Sequence, residues 1–157
     1  MPDQIQYMHQ SIAQAVSDHE IDTLFGLVGD ANLFIANHFV NDCGGTLVPA
    51  AHEGGTVLMA LAYAQVTKQV GVATVTQGPG LTNCVTALKE GVVSRRPMIL
   101  LCGDTPVTAP FHPQNIDQRE VVKATGAGFE QVQSPNTASR DVAKAIYRAR
   151  MEKRPIV

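Results

Sequence analysis

The segment that most constrains the fold is 70–76, whose residues are mainly apolar or β-branched on both alternating faces. A strand of this kind is typical of a parallel sheet that helices cover on two sides. Residues 23–28, 46–49 and 97–102 are predicted as further strands, and 128–132 as a short one. These segments predict a sheet with a buried centre.

Helical periodicity separates these strands almost throughout the chain. Helices are predicted over 3–19, 31–40, 53–67, 80–92, 116–124 and 136–151, and Ser134 or Asn136 is a candidate N-cap for the last one. Alternating strands and helices indicate an α/β three-layer sandwich, in which a mostly parallel sheet is flanked by helices. A length of 157 residues is enough for one domain with its own core.

Composition argues against several classes of function. A net charge of −2 gives no support for binding to nucleic acid or to anionic membranes. No apolar run reaches the roughly 18 residues of a membrane span, and the first residues lack a signal-peptide pattern. Cys43, Cys84 and Cys102 are predicted to be reduced, buried thiols of a cytoplasmic protein, because they are odd in number and lie in apolar surroundings. They also lack the clustered ligands of a zinc site. We therefore expect no metal site, and the low charged fraction of 17% suggests that a partner covers part of the surface.

Candidate functional residues follow three of the predicted strands. Glu53 comes after the strand at 46–49, the turn Gly78-Pro79-Gly80 after 70–76, and Gly103 after 97–102. Ligands of parallel sheets bind at the carboxyl ends of the strands. We therefore expect these residues to share one edge of the sheet. The loop 103–115 is long for a compact domain, which is typical of functional or mobile segments.

Each candidate has two interpretations on the residues alone. Glu53 either stabilises a helix N-terminus or shares a proton with the ring nitrogen of a ligand. The turn at 78–80 is either an ordinary strand-to-helix turn or a place where a ligand approaches the backbone. Asp30 is either a helix N-cap or an acid–base group, and His112 and Gln114 either face solvent or contact a substrate.

An ordered series of motifs resembles one enzyme family. The motifs are Phe25-Gly26-x-x-Gly29-Asp30, His52-Glu53-Gly54, Ala62-Tyr63-Ala64, Gly71-Val72-Ala73 and Gly78-Pro79-Gly80-x-Thr82-Asn83. They are similar to the N-terminal pyrimidine-binding domain of thiamine-diphosphate-dependent enzymes, in the acetolactate synthase-like group that acts on 2-oxo acids. The segment Gln114-Asn115-Ile116-Asp117 is similar to a later loop of that group. The resemblance covers most of the chain and implies the thiamine-diphosphate-binding fold.

The resemblance implies a role for each candidate. Glu53 matches the glutamate that hydrogen-bonds N1′ of the aminopyrimidine ring of the cofactor, which makes it the catalytic candidate. The cofactor-binding candidates are Glu53, Gly78, Pro79, Gly80 and Asn83. The possible substrate-side residues are Asp30, His112 and Gln114. The implied cofactors are thiamine diphosphate, Mg²⁺ bound by a diphosphate-binding domain and, in the full enzyme, FAD.

The resemblance also predicts how the chain is used. Residues 1–157 are expected to be a single pyrimidine-binding domain, a fragment of a longer enzyme whose middle and diphosphate-binding domains are missing. The expected partner is the diphosphate-binding domain of a neighbouring subunit, in a homodimer or homotetramer that acts on a small 2-oxo acid. The isolated chain is then expected to be inactive. Two alternatives remain open: a stand-alone alpha-type subunit of a two-chain 2-oxo-acid decarboxylase, and a non-catalytic α/β binding module.

Overall fold

The centre of the fold is a parallel sheet. The structure, a computed structural model, describes residues 7–157. Its strands are β1 (Thr23–Gly26), β2 (Thr46–Pro49), β3 (Gly71–Val75), β4 (Met98–Cys102) and β5 (Pro155–Ile156). They pair in the order β2-β1-β3-β4-β5, and every pair is parallel. The predicted mostly parallel sheet is therefore confirmed.

Helices cover both faces of this sheet. They are α1 (Met8–Ser17), α2 (Leu33–Asn41), α3 (Glu53–Thr67), α4 (Pro79–Thr82), α5 (Val85–Val93), α6 (Gln118–Thr125) and α7 (Ala138–Glu152), with a 3₁₀ turn at Pro135–Thr137. The predicted first helix includes residues 3–6, which lie outside the described residues. The predicted and observed bounds of α3 agree.

Two apolar clusters, one on each face, hold the three layers together. Val72 and Ile99 point into the cluster that α1, α2 and α7 form. Ala73 and Leu100, their neighbours along β3 and β4, point into the opposite cluster with α3, α5 and α6. Alternate residues of a strand face opposite sides, so the apolar residues of β3 serve both clusters, Val72 on one face and Ala73 and Val75 on the other. This two-sided burial confirms the predicted three-layer sandwich.

Two predicted elements are wrong in their extent. The helix predicted at 80–92 is divided into α4 and α5, because the amide of Cys84 bonds the carbonyl of Leu81 in a tighter turn. The strand predicted at 128–132 is reduced to one bridge, Gly128 to Ile156, since β5 offers only two residues for pairing.

The predicted cap of the last helix and the predicted burial of the cysteines also need correction. Ser134 caps the 3₁₀ turn that leads into α7, and Asn136 lies inside that turn. All three cysteines are free, as predicted, but only Cys84 is fully buried.

Candidate functional site

The candidate site lies where the strand order reverses. The chain passes from β1 to β2 on one side and returns to β3 on the other, so β1 lies between them. Open α/β sheets bind ligands in the crevice at the carboxyl ends of the strands at such a reversal. Glu53 begins α3 shortly after β2, and Gly78 follows β3. Both candidates therefore flank the crevice.

Glu53 is the first residue of α3, and His52 fixes where that helix begins. His52 has an extended backbone (φ −152°, ψ 141°), and its Nδ1 accepts a hydrogen bond of 3.0 Å from the amide of Gly54. The positive end of the helix dipole stabilises a carboxylate in this first turn. Glu53 is half-buried, so it lies at the rim of the crevice, partly in contact with solvent.

Asn83 orients the Glu53 carboxylate. Its Nδ2 donates a hydrogen bond of 2.9 Å to Glu53 Oε2. The backbone supports this contact, because a Cβ on Gly54 would lie 3.1 Å from the carbonyl oxygen of Asn83. Within residues 7–157, Glu53 Oε1 has no hydrogen-bond partner. One carboxylate oxygen is therefore fixed by the protein, and the other is available to a ligand.

The turn at 78–80 requires its first glycine. Gly78 has φ +62° and ψ −111°, a conformation that residues with a Cβ rarely adopt. A Cβ at this position would also lie 2.3 Å from the carbonyl oxygen of Gln114. Pro79 then starts α4, and Asn83 ends it. The turn thus connects the loop containing Gln114 to the residue that holds Glu53.

Three glutamine amides join the loops at this edge. Gln77 Nε2 donates to Gln114 Oε1 at 2.7 Å. Gln118 Oε1 accepts from the amide of Gly78 at 3.2 Å, and Gln118 Nε2 donates to the carbonyl of Gly103 at 2.9 Å. The structure therefore brings Gly78 and Gly103 together, as the strand ends predict, and adds Gln114 to them.

Two thiols lie beneath these contacts. Burial, together with the negative charge of Glu53, raises the pKa of the Cys84 thiol to about 12. Burial also raises the pKa of the Cys102 thiol to about 12, with smaller contributions from Cys84 and Asp104. The Cys102 thiol donates toward Gln118 Oε1 at 3.2 Å. Both thiols stay protonated at neutral pH and act as weak donors rather than nucleophiles.

The structure does not join the other predicted site residues to Glu53. Asp30 is exposed, and Asn32 occupies the N-cap position of α2, so the capping interpretation of Asp30 is wrong. His112 Nδ1 accepts from the amide of Gln114 at 3.2 Å and stabilises the loop that it belongs to. Among the described residues, neither side chain has a hydrogen bond to Glu53 or Asn83. Their substrate-side role stays a prediction.

Sequence analysis missed two polar residues of this edge. Asn32 is fully buried; its Oδ1 accepts from the amide of Gly29 at 2.7 Å, and its Nδ2 donates to Thr74 Oγ1 at 3.2 Å. Gln118 is the second. Its contacts reach Gly78, which is 40 positions away, so no local pattern reports them. Its place immediately after Asp117, the N-cap of α6, is the one sequence signal that was available.

Residues 7–157 contain no group of three His, Cys, Asp or Glu side chains placed to hold a metal ion. In the same residues, no helix combines the length and apolar character that crossing a bilayer requires.

Comparison with known proteins gives a family match and relatives. Residues 7–121 match the family model for the thiamine pyrophosphate enzyme, N-terminal TPP binding domain. The chain is 35% identical over 118 residues to 2-hydroxyacyl-CoA lyase 2 of Danio rerio, which covers 73% of the chain and 18% of that protein. It is 29% identical over 144 residues to the acetolactate synthase large subunit of Corynebacterium glutamicum, covering 89% of the chain and 23% of that protein. The chain thus spans less than a quarter of the length of these relatives.

Proposed function

Because this chain belongs to the thiamine pyrophosphate enzyme family, as its N-terminal TPP-binding domain, we propose that it supplies the aminopyrimidine half of a cofactor site. The complete enzyme is proposed to be a 2-oxo-acid lyase or carboligase of the acetolactate synthase type. The similarity to acetolactate synthases supports this class. Its proposed substrate is a small 2-oxo acid.

The observation that supports the proposal is the half-satisfied carboxylate of Glu53. Asn83 fixes Oε2, and Oε1 has no partner among residues 7–157, which suits a hydrogen bond to N1′ of an aminopyrimidine. Gly78 contributes through the shape of its turn, which packs against the carbonyl of Gln114 and leads through α4 to Asn83. These residues therefore fit the ring of the cofactor.

The residues of the proposed site have distinct tasks. Thiamine diphosphate, when bound, supplies an electron sink next to the carbonyl carbon of the substrate. Glu53 holds a proton at N1′ of the ring, and Asn83 keeps the carboxylate in the orientation that this bond needs. Glu53 lies in the first turn of α3, where the helix dipole interacts favourably with the negative charge of a carboxylate. The proposed substrate-side residues remain Asp30, His112 and Gln114.

The exposed apolar residues on the outer face of α3 favour the presence of a partner domain next to Glu53. Glu53 is the only charged residue of this 15-residue helix. Leu58 and Val66 are 50% and 81% exposed, and with Ala62 they lie at intervals of four residues on one face. We assign this face to the diphosphate-binding domain of a neighbouring subunit. Exposed apolar surface of this kind is typical of protein interfaces.

The remaining parts of the proposal concern the complete enzyme. The partner domain holds the diphosphate and Mg²⁺, FAD is a proposed additional cofactor, and the assembly is a homodimer or homotetramer. Three free cysteines are consistent with a reducing, cytoplasmic location.

The proposal is tested by titrating the chain with 4-amino-5-hydroxymethyl-2-methylpyrimidine, the ring half of the cofactor alone. We expect NMR amide shifts concentrated at Glu53, Gly78 and Asn83. Glu53→Gln replaces a charge-assisted hydrogen bond with a neutral one, so binding should weaken by about tenfold or more. The matched control is Glu20→Gln, at an exposed turn before β1 on the opposite edge of the sheet, which should bind as the parent chain does.

A second titration tests the division of the site between two domains. Thiamine diphosphate should bind the isolated chain about as weakly as the ring does, with or without Mg²⁺. Tight, magnesium-dependent binding would contradict the half-site. Ring binding that is absent, or indifferent to Glu53→Gln, would contradict the aminopyrimidine site and favour a non-catalytic module.

A further inference from the structure

We infer that Gln118 is a positioning residue, which holds the Gly78 turn in the form that presents Asn83 to Glu53. The inference rests on the proposed function, because it concerns the same aminopyrimidine site. Gln118 belongs to neither of the motifs that contain Glu53 and Gly78. It is the first residue of α6, and Asp117, the N-cap, fixes it there by accepting from the amide of Glu120 at 3.1 Å.

The Gln118 side chain contacts the ends of two neighbouring strands. Its Oε1 accepts from the amide of Gly78, just past β3, at 3.2 Å. Its Nε2 donates to the carbonyl of Gly103, just past β4, at 2.9 Å. Only a side-chain amide offers an acceptor and a donor in this fork, so the backbone partners settle which atom is oxygen and which is nitrogen.

The Gly78 amide needs such an acceptor because the turn itself holds only carbonyl groups, those of Gln77 and Gly78. The carbonyl of Gly78 accepts from the amide of Thr82 at 3.0 Å inside α4. The amide of Gly78 points the other way and is satisfied by Gln118. Without that acceptor, a buried amide loses its hydrogen bond. The peptide between Gln77 and Gly78 then keeps only the bond of 3.3 Å from the amide of Gly80 to the carbonyl of Gln77, so it can rotate more easily.

Rotation of the peptide between Gln77 and Gly78 changes the position of the Glu53 carboxylate indirectly, through Asn83. The four residues of α4 follow Gly78 directly, and Asn83 is the residue that ends the turn. Asn83 in turn donates to Glu53 Oε2 at 2.9 Å. The connected bonds run from Gln118 through Gly78 and Asn83 to Glu53, so Gln118 acts on the carboxylate without touching the ring.

Two substitutions separate positioning from simple stabilisation. Gln118→Glu keeps an acceptor for the Gly78 amide but sets a carboxylate against the carbonyl of Gly103. Gln118→Met removes both of these bonds and the acceptor of the Cys102 thiol, while nearly keeping the length of the side chain. The thiol keeps the carbonyl of Thr76, at 3.5 Å, as an acceptor. A positioning role predicts that Gln118→Glu binds the aminopyrimidine probe within about threefold of the parent chain, whereas Gln118→Met binds about tenfold more weakly. The lost hydrogen bond of Gly78 should also shift its amide proton in the NMR spectrum of Gln118→Met alone.

Stability should follow a different order. Gln118→Glu should lower the urea midpoint at least as much as Gln118→Met, because it leaves two acceptors facing each other. Gln131→Met, an exposed glutamine of the segment before α7, is the control and should change neither quantity. All titrations use 4-amino-5-hydroxymethyl-2-methylpyrimidine at pH 8, on chains shown by NMR to be folded.

The outcomes distinguish this inference from the proposed function. If affinity follows stability across the variants, or if Gln118→Met binds as the parent does, the positioning role is wrong while the site itself stands. If the parent chain does not bind the probe at Glu53 and Gly78, the proposed function fails, and the positioning role fails with it.

Discussion

Cys84 and Cys102 link the stability of the fold to pH. Folding raises the pKa of each thiol from 9.0 to about 12, chiefly through burial. The folded chain therefore retains these protons at a pH where the unfolded chain has released them. The resulting stabilisation is fully present below pH 9.0 and is lost as the pH rises toward about 12. We expect the urea midpoint of the chain to fall across this range.

A double variant isolates the contribution of these two thiols. Cys84→Ala with Cys102→Ala should give a midpoint that falls less steeply above pH 9.0, whatever its value at neutral pH. Cys43→Ala is the control, because this thiol lies after α2, near the opposite edge of the sheet, and is partly exposed. Cys43→Ala should keep most of the decrease in the urea midpoint above pH 9.0. Equal slopes for the parent and the double variant would show that the thiols do not carry the effect.

Among the elements, the turn before α4 offers the sharpest test of close packing. Gly78 and Gly44 both have positive φ, +62° and +74°. A Cβ at Gly78 would lie 2.3 Å from the carbonyl oxygen of Gln114, whereas a Cβ at Gly44 would meet nothing within 4 Å. Gly44→Ala should therefore cost roughly 1–2 kcal/mol through backbone strain alone. Gly78→Ala should cost about 3 kcal/mol, because a steric clash is added to the strain.

Urea unfolding of the two glycine variants measures this difference, and NMR locates its cause. The amides of Gln77 and Gln114 should shift in Gly78→Ala, since the loop must move to admit the methyl group, and should not shift in Gly44→Ala. If the two substitutions lower the free energy of unfolding equally, the loop containing Gln114 moves without cost and the Gly78 turn does not fix its position.

The same elements explain what the sequence could predict. Both ends of α3 are set by neighbouring residues: His52 caps its start, and Lys68 ends it in a left-handed conformation with φ +65°. The bounds 53–67 were therefore predictable. The division between α4 and α5 was not, because a local tight turn at Cys84 interrupts an otherwise helical pattern. Glu53 and Gly78 were found because both follow strands, whereas the contacts of Gln118 depend on residues up to 40 positions away.

On the scale of the whole molecule, α3 and α7, which lie on opposite faces of the sheet, have different outer surfaces. α7 has charged residues on its outer face, and Arg148 pairs with Glu130 at 2.6 Å and with Glu152 at 2.7 Å. α3 has no charged residue after Glu53 and leaves Val66 81% exposed. A charged, ion-paired helix is typical of a face in water, whereas a neutral, apolar one is typical of an interface. The contrast between these two helices supports the proposal of a partner on the α3 side.

Val66→Lys tests this assignment in the assembled enzyme, and Tyr147→Lys on α7 is the matched control. Tyr147 is also an exposed apolar side chain of a helix, at 64%, but on the opposite layer. Lysine is a good helix former, so neither substitution should destabilise the chain itself. At the proposed interface, however, the lysine of Val66→Lys must be desolvated without a partner, which is costly.

Sedimentation velocity should therefore show smaller species for Val66→Lys, with lower turnover that recovers at higher protein concentration. If Val66→Lys assembles as the parent enzyme does, or if both variants lose assembly and turnover equally, the partner domain does not bind the α3 face.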